Sequence, residues 1–188
     1  RRMTSRSKSD RPLDSFDAVV WDLDGTLVRL AVDWDRVTDD VAAVFEAADV
    51  DPDGRTLWEL MDAAGRVGLH DKVETVVAEY ERTGAQESER LLLADIVGQV
   101  DAEAVCSLNC EAACRVALDV HGLAAPIDAV VGRDTVPAQK PDPEPLLEAL
   151  RRLDVPPGDA IFVGDSASDG ETADRAGVAF RHADDLRP

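Results

Sequence analysis

Two aspartates two residues apart, in Asp22-Leu23-Asp24-Gly25-Thr26, carry the strongest chemical signal in this sequence. They follow Ala18-Val19-Val20-Trp21, an apolar run that reads as a short buried strand. Side chains at i and i+2 leave a strand on the same side. Carboxylates that close repel, and one takes up a proton unless a cation sits between them. Gly25-Thr26 permits a sharp turn and is expected to leave amide N–H groups facing an anion. An acidic pair, a cation and free amides together point to phosphate chemistry with Mg²⁺. The competing reading is a solvated turn. Asp-Gly is a common turn signal, and close Asp pairs recur at Asp39-Asp40 and Asp184-Asp185.

The remaining parts of a phosphate site lie downstream. Ala160-Ile161-Phe162-Val163-Gly164 reads as a second buried strand, ending in Asp165-Ser166 with Asp169 four residues after Asp165. Ligands of open α/β sheets bind outside the carboxyl ends of the strands, so neighbouring strands would bring Asp165 beside Asp22 and Asp24. Three hard oxygen ligands suit Mg²⁺ better than zinc, which takes nitrogen and sulfur. Lysine occurs only at positions 8, 72 and 140, against 17 arginines. Lys140, in Gln139-Lys140-Pro141-Asp142-Pro143, is a compact point charge suited to phosphate and carboxylate oxygens. Its plain alternative is a surface lysine before a helix that Pro143 helps to start. Ser107 follows the strand-like Glu103-Ala104-Val105-Cys106. A hydroxyl at a strand-to-helix junction can hold phosphate, or can simply cap the helix.

In this order the motifs resemble the haloacid dehalogenase superfamily, in its Mg²⁺-dependent phosphatases with a helical cap, which include phosphoglycolate-phosphatase-like enzymes. The resemblance runs from Phe16 to Phe180, and Ala173 to Ala176-Gly177 follows the last acidic motif as in the family. Relatives often carry Asn directly after the motif Ser or Thr. Here Leu108 intervenes before Asn109, so only Ser107 is carried over. The resemblance implies that Asp22 is the nucleophile and forms an aspartyl-phosphate. It implies that Asp24 is the general acid and base. Mg²⁺ would be held by Asp22, the Asp24 backbone carbonyl and Asp165. Ser107, Lys140 and the Gly25 and Thr26 amides would hold the phosphate oxygens. Asp169 would support Lys140 or a metal-bound water, or merely favour a helix start.

The elements that must position these residues alternate. Strands are expected near 18–22, 103–107, 127–131, 160–164 and 178–180, with helices near 110–120, 143–153 and 170–176. That pattern predicts an α/β fold, a Rossmann-like parallel sheet with helices on both faces. A small helical cap is inserted after the first strand. Residues 31–84 carry three helical stripes: Val37, Val41, Val44, Phe45 and Ala48; Leu57, Leu60, Met61 and Ala64; Val73, Val76, Val77 and Tyr80. Thr56 and Glu59 form a candidate capping box. An insertion leaving the Asp22–Thr26 loop can cover the site and exclude water. The expected division is a disordered tail over 1–15, a core over 16–30 and 85–188, and the cap over 31–84. Ser88 to Val100 is expected to return as a helix. Asp33-Trp34 at the cap entrance could touch a substrate, but Trp34 reads rather as packing against helices. Arg29 and Arg133 could bind an acidic substrate group, but among 17 arginines each reads rather as a surface residue. Cys106, Cys110 and Cys114 read as reduced, buried thiols and not as a zinc site.

The chain of 188 residues carries 39 acids against 20 basic residues, a net charge of −19. That charge argues against nucleic acid and anionic membrane surfaces as partners. No stretch approaches the roughly 20 apolar residues of a membrane span, and a cytoplasmic location is expected. Scarce lysine with abundant Asp, Glu, Ala and Val resembles halophilic proteins in composition. The expected partner is a small phosphorylated metabolite. A phosphomutase or phosphotransferase would use the same residues. A non-enzymatic phospho-acceptor domain shares the acids, hydroxyl and lysine, but places no acidic motif after the lysine as Asp165 is placed here.

Overall fold

Five short parallel strands, each buried or half-buried along its whole length, organise the chain. The computed structural model describes residues 11–186. The strands are β1 (Ala18–Trp21), β4 (Glu103–Cys106), β5 (Ala129–Val131), β6 (Ala160–Gly164) and β7 (Ala179–His182), in the order β5-β4-β1-β6-β7. Every neighbouring pair is parallel. Strands buried on both faces read as continuous apolar runs, which is why β1 and β6 stood out in the sequence. Their alternate residues split between two cores. Val19, Trp21, Ile161 and Val163 face one side of the sheet, while Ala18, Val20, Ala160 and Phe162 face the other. Helix α4 (Glu111–Val120) covers the first face. Helices α5 (Glu144–Leu153) and α6 (Ala167–Ala176) cover the second. The fold is therefore the expected α/β architecture.

Helices α1 (Trp34–Glu46), α2 (Leu57–Arg66) and α3 (His70–Gln86) fill the stretch after β1. They share a third core of Val37, Val41, Phe45, Leu60, Val73 and Val77. Asp33 caps α1 by accepting from the Arg36 amide, and Thr56 with Glu59 forms the capping box of α2. Helix α3 crosses the expected boundary at residue 84. It packs against α4, and Ala85 in its last turn joins the first-face core.

Three local expectations are corrected. Ser88 to Val100 is not a helix. Leu91 N–H bonds the Leu27 carbonyl at 2.9 Å, and a two-residue strand β3 (Glu89–Arg90) pairs antiparallel with β2 (Val28–Arg29). A short 3₁₀ helix, Leu92–Ile96, follows. The amides of Gly98 and Val100 go to the buried Glu103 carboxylate at 2.8 and 3.1 Å, so no i−4 ladder forms there. The same carboxylate accepts from the Trp21 indole at 2.8 Å. Second, the expected tail is ordered from residue 11: Leu13–Ser15 forms a 3₁₀ turn and Leu13 and Phe16 are buried. The first ten residues of that expected tail lie outside the described residues. Third, Arg133 is not a surface residue but is 3% exposed. Arg29 is exposed as expected and pairs with Glu89.

Candidate active site

The carboxyl ends of β1, β4 and β6 meet at one point, because β1 lies between the other two. Asp22 follows β1, Ser107 follows β4 and Asp165 follows β6, so topology alone gathers three of the four motifs. Lys140 arrives from the loop before α5 and is buried. Its Nζ donates to Asp22 Oδ1 at 2.9 Å, Asp169 Oδ1 at 2.5 Å and the Cys106 carbonyl at 3.3 Å. Burial pulls the ammonium pKa down, but Asp22 and Asp169 outweigh it and raise it above the ordinary lysine value. Asp169 is held in turn by the cap of α6. Its Oδ2 accepts from Ser166 N–H and Oγ at 3.1 and 2.7 Å, and its own amide bonds Ser166 Oγ. Asp169 is thus an anchor for Lys140 and for the helix start at once.

Burial pushes the Asp22 carboxyl up to about 7, against the pull of Lys140 and with the push of Asp169 and Asp165. Thr26 Oγ1 donates to its other oxygen at 3.2 Å. Burial also raises Asp24, although the Leu30 amide donates to its Oδ1 at 2.9 Å. The loop geometry corrects one detail of the sequence reading. The Gly25 and Thr26 amides do not point outward: they bond the Val28 and Leu23 carbonyls at 2.7 and 3.2 Å. Among the described residues, the amides left without a partner in this loop are those of Leu23 and Asp24. Gly25 is required for a different reason. Its φ is +87°, and a Cβ there would fall 2.1 Å from Asp165 Oδ2. The glycine lets the two acidic loops touch.

The donor set fits Mg²⁺. Carboxylate oxygens of Asp22, Asp165 and Asp169 all lie within 4.8 Å of one another. They are hard oxygen donors, and a cation beside Asp22 would offset both the burial that chiefly raises its pKa and the smaller push of Asp169 and Asp165. Asp169 binds Lys140 with one oxygen and the Ser166 cap with the other, and Asp22 likewise accepts from Lys140 and Thr26.

A cavity of about 320 Å³ opens over these groups, floored by Asp22, Asp24, Ser107, Lys140 and Asp165. Its roof is Trp34, Leu57 and Trp58 from α1 and α2. Trp34 therefore packs on the helical core, as expected, and also faces the site. A second space of about 590 Å³ shares Trp58, Leu108 and Lys140 with it.

The chain matches the family model of haloacid dehalogenase-like hydrolases over residues 19–183. The chain belongs to that family. It is 30% identical over 188 residues to a phosphoglycolate phosphatase of Cereibacter sphaeroides, covering 86% of this chain and 82% of that one. It is also 47% identical over 74 residues to the phosphoglycolate phosphatase of Rhodospirillum rubrum, a match spanning 39% of this chain and 31% of the relative's length. Among solved structures, CbbY from Rhodobacter sphaeroides in complex with phosphate shares the fold, with a TM-score of 0.63 at 21% identity over 89% and 85% of the two chains. A subfamily IA hydrolase of Geobacter sulfurreducens gives 0.59 at 25% identity over 88% of each.

Sequence reasoning missed Asn109, Glu81 and Arg133. Asn109 is buried and clasps Ser107: its amide donates to Ser107 Oγ, which donates to Asn109 Oδ1, both at 3.1 Å. Glu81 had a readable signal. It stands four residues after Val77 on a stripe of buried residues, where an acid demands a buried partner. Cys106, Cys110 and Cys114 are buried free thiols, and burial pushes the first two up to about 12.

Proposed function

We propose that this chain is a Mg²⁺-dependent phosphatase that hydrolyses a small phosphate monoester through an aspartyl-phosphate on Asp22. The observation that carries the reading is the single cavity in which Asp22, Asp24, Ser107, Lys140 and Asp165 converge. The named relatives are phosphoglycolate phosphatases, which supports a small phosphorylated substrate.

The substrate phosphate enters against Lys140, the Ser107 hydroxyl and the Leu23 and Asp24 amides. These donors neutralise its equatorial oxygens as charge builds there. The Ser107 proton, resting on Asn109 Oδ1, turns to a phosphate oxygen. An Asp22 oxygen attacks phosphorus while Lys140 and Thr26 fix the carboxylate. Asp24 is placed two residues on, and its raised pKa lets it carry a proton to the leaving alkoxide. The same carboxylate then takes a proton from the water that cleaves the acyl phosphate. Asp22, Asp165 and the Asp24 backbone carbonyl would hold Mg²⁺, which when bound offsets the repulsion between nucleophile and phosphate. Residues 31–84 act as the cap in this reading, with Trp34, Leu57 and Trp58 keeping bulk water from the intermediate.

The test is hydrolysis of p-nitrophenyl phosphate by the purified chain. Activity is expected with added Mg²⁺ and is expected to vanish in EDTA and return on re-addition. Full activity in metal-free enzyme would sink the site as assigned. Products tested with a polyol present separate water from a sugar hydroxyl as the acceptor.

A further inference from the structure

The cap helix α3 sends a buried acid into the wall of the phosphate loop. Glu81 is fully buried, and both of its oxygens are filled. Oε1 accepts from Asn109 Nδ2 at 3.1 Å and from Arg133 at 2.6 Å. Oε2 accepts from Cys110 N–H at 3.0 Å and from Arg133 at 2.9 Å. Arg133, in the turn after β5, grips the same loop from below. It donates its side chain to the Leu108 carbonyl at 2.7 Å and its backbone N–H to the Asn109 carbonyl at 2.9 Å. Its remaining guanidinium face pairs with Glu74 at 2.7 Å. Gly132 lets the loop lie this close, since a Cβ there would fall 2.3 Å from the Glu111 amide.

We propose that Glu81 and Arg133 are positioning residues, a buried pair that joins the cap helix to the core and sets the Ser107–Cys110 loop for phosphate. The proposal rests on the phosphatase reading, in which Ser107 receives a phosphate oxygen. The chain of contacts is continuous. Glu81 and Arg133 hold Asn109, and Asn109 holds the Ser107 hydroxyl from two directions. A bidentate guanidinium–carboxylate pair fixes direction as well as distance. A buried ion pair is a poor source of net stability, because desolvation offsets its attraction. This one has a geometric task that a hydrophobic replacement would not perform. Ser107 touches the substrate in this account, and Glu81 and Arg133 act only through it.

The variants are Glu81→Gln, Arg133→Lys and Glu74→Gln. Glutamine keeps the shape of Glu81 but turns one acceptor into a donor, which must then face Cys110 N–H, Asn109 Nδ2 or Arg133. Lysine at 133 keeps the charge and loses the fork. Glu74 touches Arg133 but not the loop. Two readouts are taken with Mg²⁺: steady-state hydrolysis of p-nitrophenyl phosphate, and binding of inorganic phosphate by calorimetry. Glu81→Gln is expected to raise KM and the phosphate Kd about tenfold or more, with a smaller fall in kcat. Arg133→Lys should move both in the same direction by less. Glu74→Gln should stay within about twofold of wild type. A purely structural role lowers the folded fraction, hence kcat per total protein, and leaves KM and Kd unmoved. That result in either variant that folds would overturn the proposal, and Arg133→Lys carries the test if Glu81→Gln does not fold. A wild type that binds phosphate without turning over the ester sinks the hydrolase reading, while the Kd comparison still decides this one. A wild type that binds no phosphate overturns both.

Discussion

In the proposed mechanism Asp22 is the nucleophile, while lying beside two other carboxylates and one ammonium. Its chemistry therefore depends on its neighbours. Asp22→Asn should abolish turnover and the phospho-enzyme. Asp24→Asn should leave the nucleophile and lower kcat by about 10²–10⁴-fold, the usual worth of a positioned acid or base. Acyl phosphate trapped on Asp24 in place of Asp22 would reverse the assignment. The raised pKa has a second consequence. Folded Asp22 binds its proton up to about pH 7, whereas an ordinary carboxyl releases it near 3.8. Between these values the native state holds more protons than the unfolded chain, so the residue's stability contribution is present below 3.8 and lost as pH rises through about 7. In EDTA, the melting temperature of wild type relative to Asp22→Asn should fall as pH rises from 5 to 8. Mg²⁺ binding needs the carboxylate and should stabilise wild type more at pH 8 than at pH 6. Equal Mg²⁺ shifts at both values would show that Asp22 is already ionised without metal. Asp22, Asp24, Lys140 and Asp165 were legible in the sequence because each follows or precedes a recognisable element by a fixed offset. The pairing of Glu81 with Arg133 was not, because 52 residues separate them and only the packing of α3 brings them together.

Elements recorded in the sequence by periodicity were found where they were expected. The three helical stripes of residues 31–84 became α1, α2 and α3, and the apolar runs became the sheet. Two-residue strands carry no periodicity, so the β2–β3 ribbon was invisible. The stretch after it failed as a helix because Glu103, placed ahead in the chain, takes its amides. Yet the ribbon matters to the site, since Leu30 just beyond β2 donates to Asp24. Helix α3 is the other element whose role is set by contact. Gly84 lets its last turn lie against the linker that enters α1. A Cβ there would sit 2.5 Å from Val32 Cγ2 and 2.9 Å from the Ala31 carbonyl. Gly84→Ala should therefore cost about 1–3 kcal/mol in urea denaturation through overpacking. Gly65 in α2 has nothing within 4 Å of its would-be Cβ. Gly65→Ala should gain about 0.4–1 kcal/mol by restricting the unfolded chain. The same substitution in two helices of one unit thus has opposite signs. A stabilising Gly84→Ala would show that α3 is free to shift away from the linker.

The whole molecule carries a charge of −19, and its arginines are largely committed. Arg151 pairs with Glu144 and Glu148, Arg152 with Glu148, Arg115 with Glu111, and Arg133 with two glutamates. The surplus acid is spread over the surface, as in Asp35, Asp39 and Glu46 of α1. No helix among the described residues is long and apolar enough to cross a membrane. Like charges in water interact over a screening length of about 30 Å at 0.01 M salt, 10 Å at 0.1 M and 3 Å at 1 M. At the lowest of these, every acid on the domain feels the others, and at 0.1 M it feels only near neighbours. Self-repulsion disfavours the folded state, so screening should stabilise it. The melting temperature should rise with KCl, and most of the rise should come below about 0.2 M, where the screening length changes most. The buried pairs of Lys140 and Arg133 are shielded from salt, so the Mg²⁺ requirement should persist at every concentration. Asp22→Asn protein in a thermal melt across a KCl series, with NaCl as the parallel, makes the measurement free of turnover. Screening predicts that the two salts superimpose and that the curve flattens early. A steady rise continuing to molar salt, differing between the two cations, would instead assign the effect to surface exclusion or specific ion binding. A flat line would show that the acidic surface does not oppose folding.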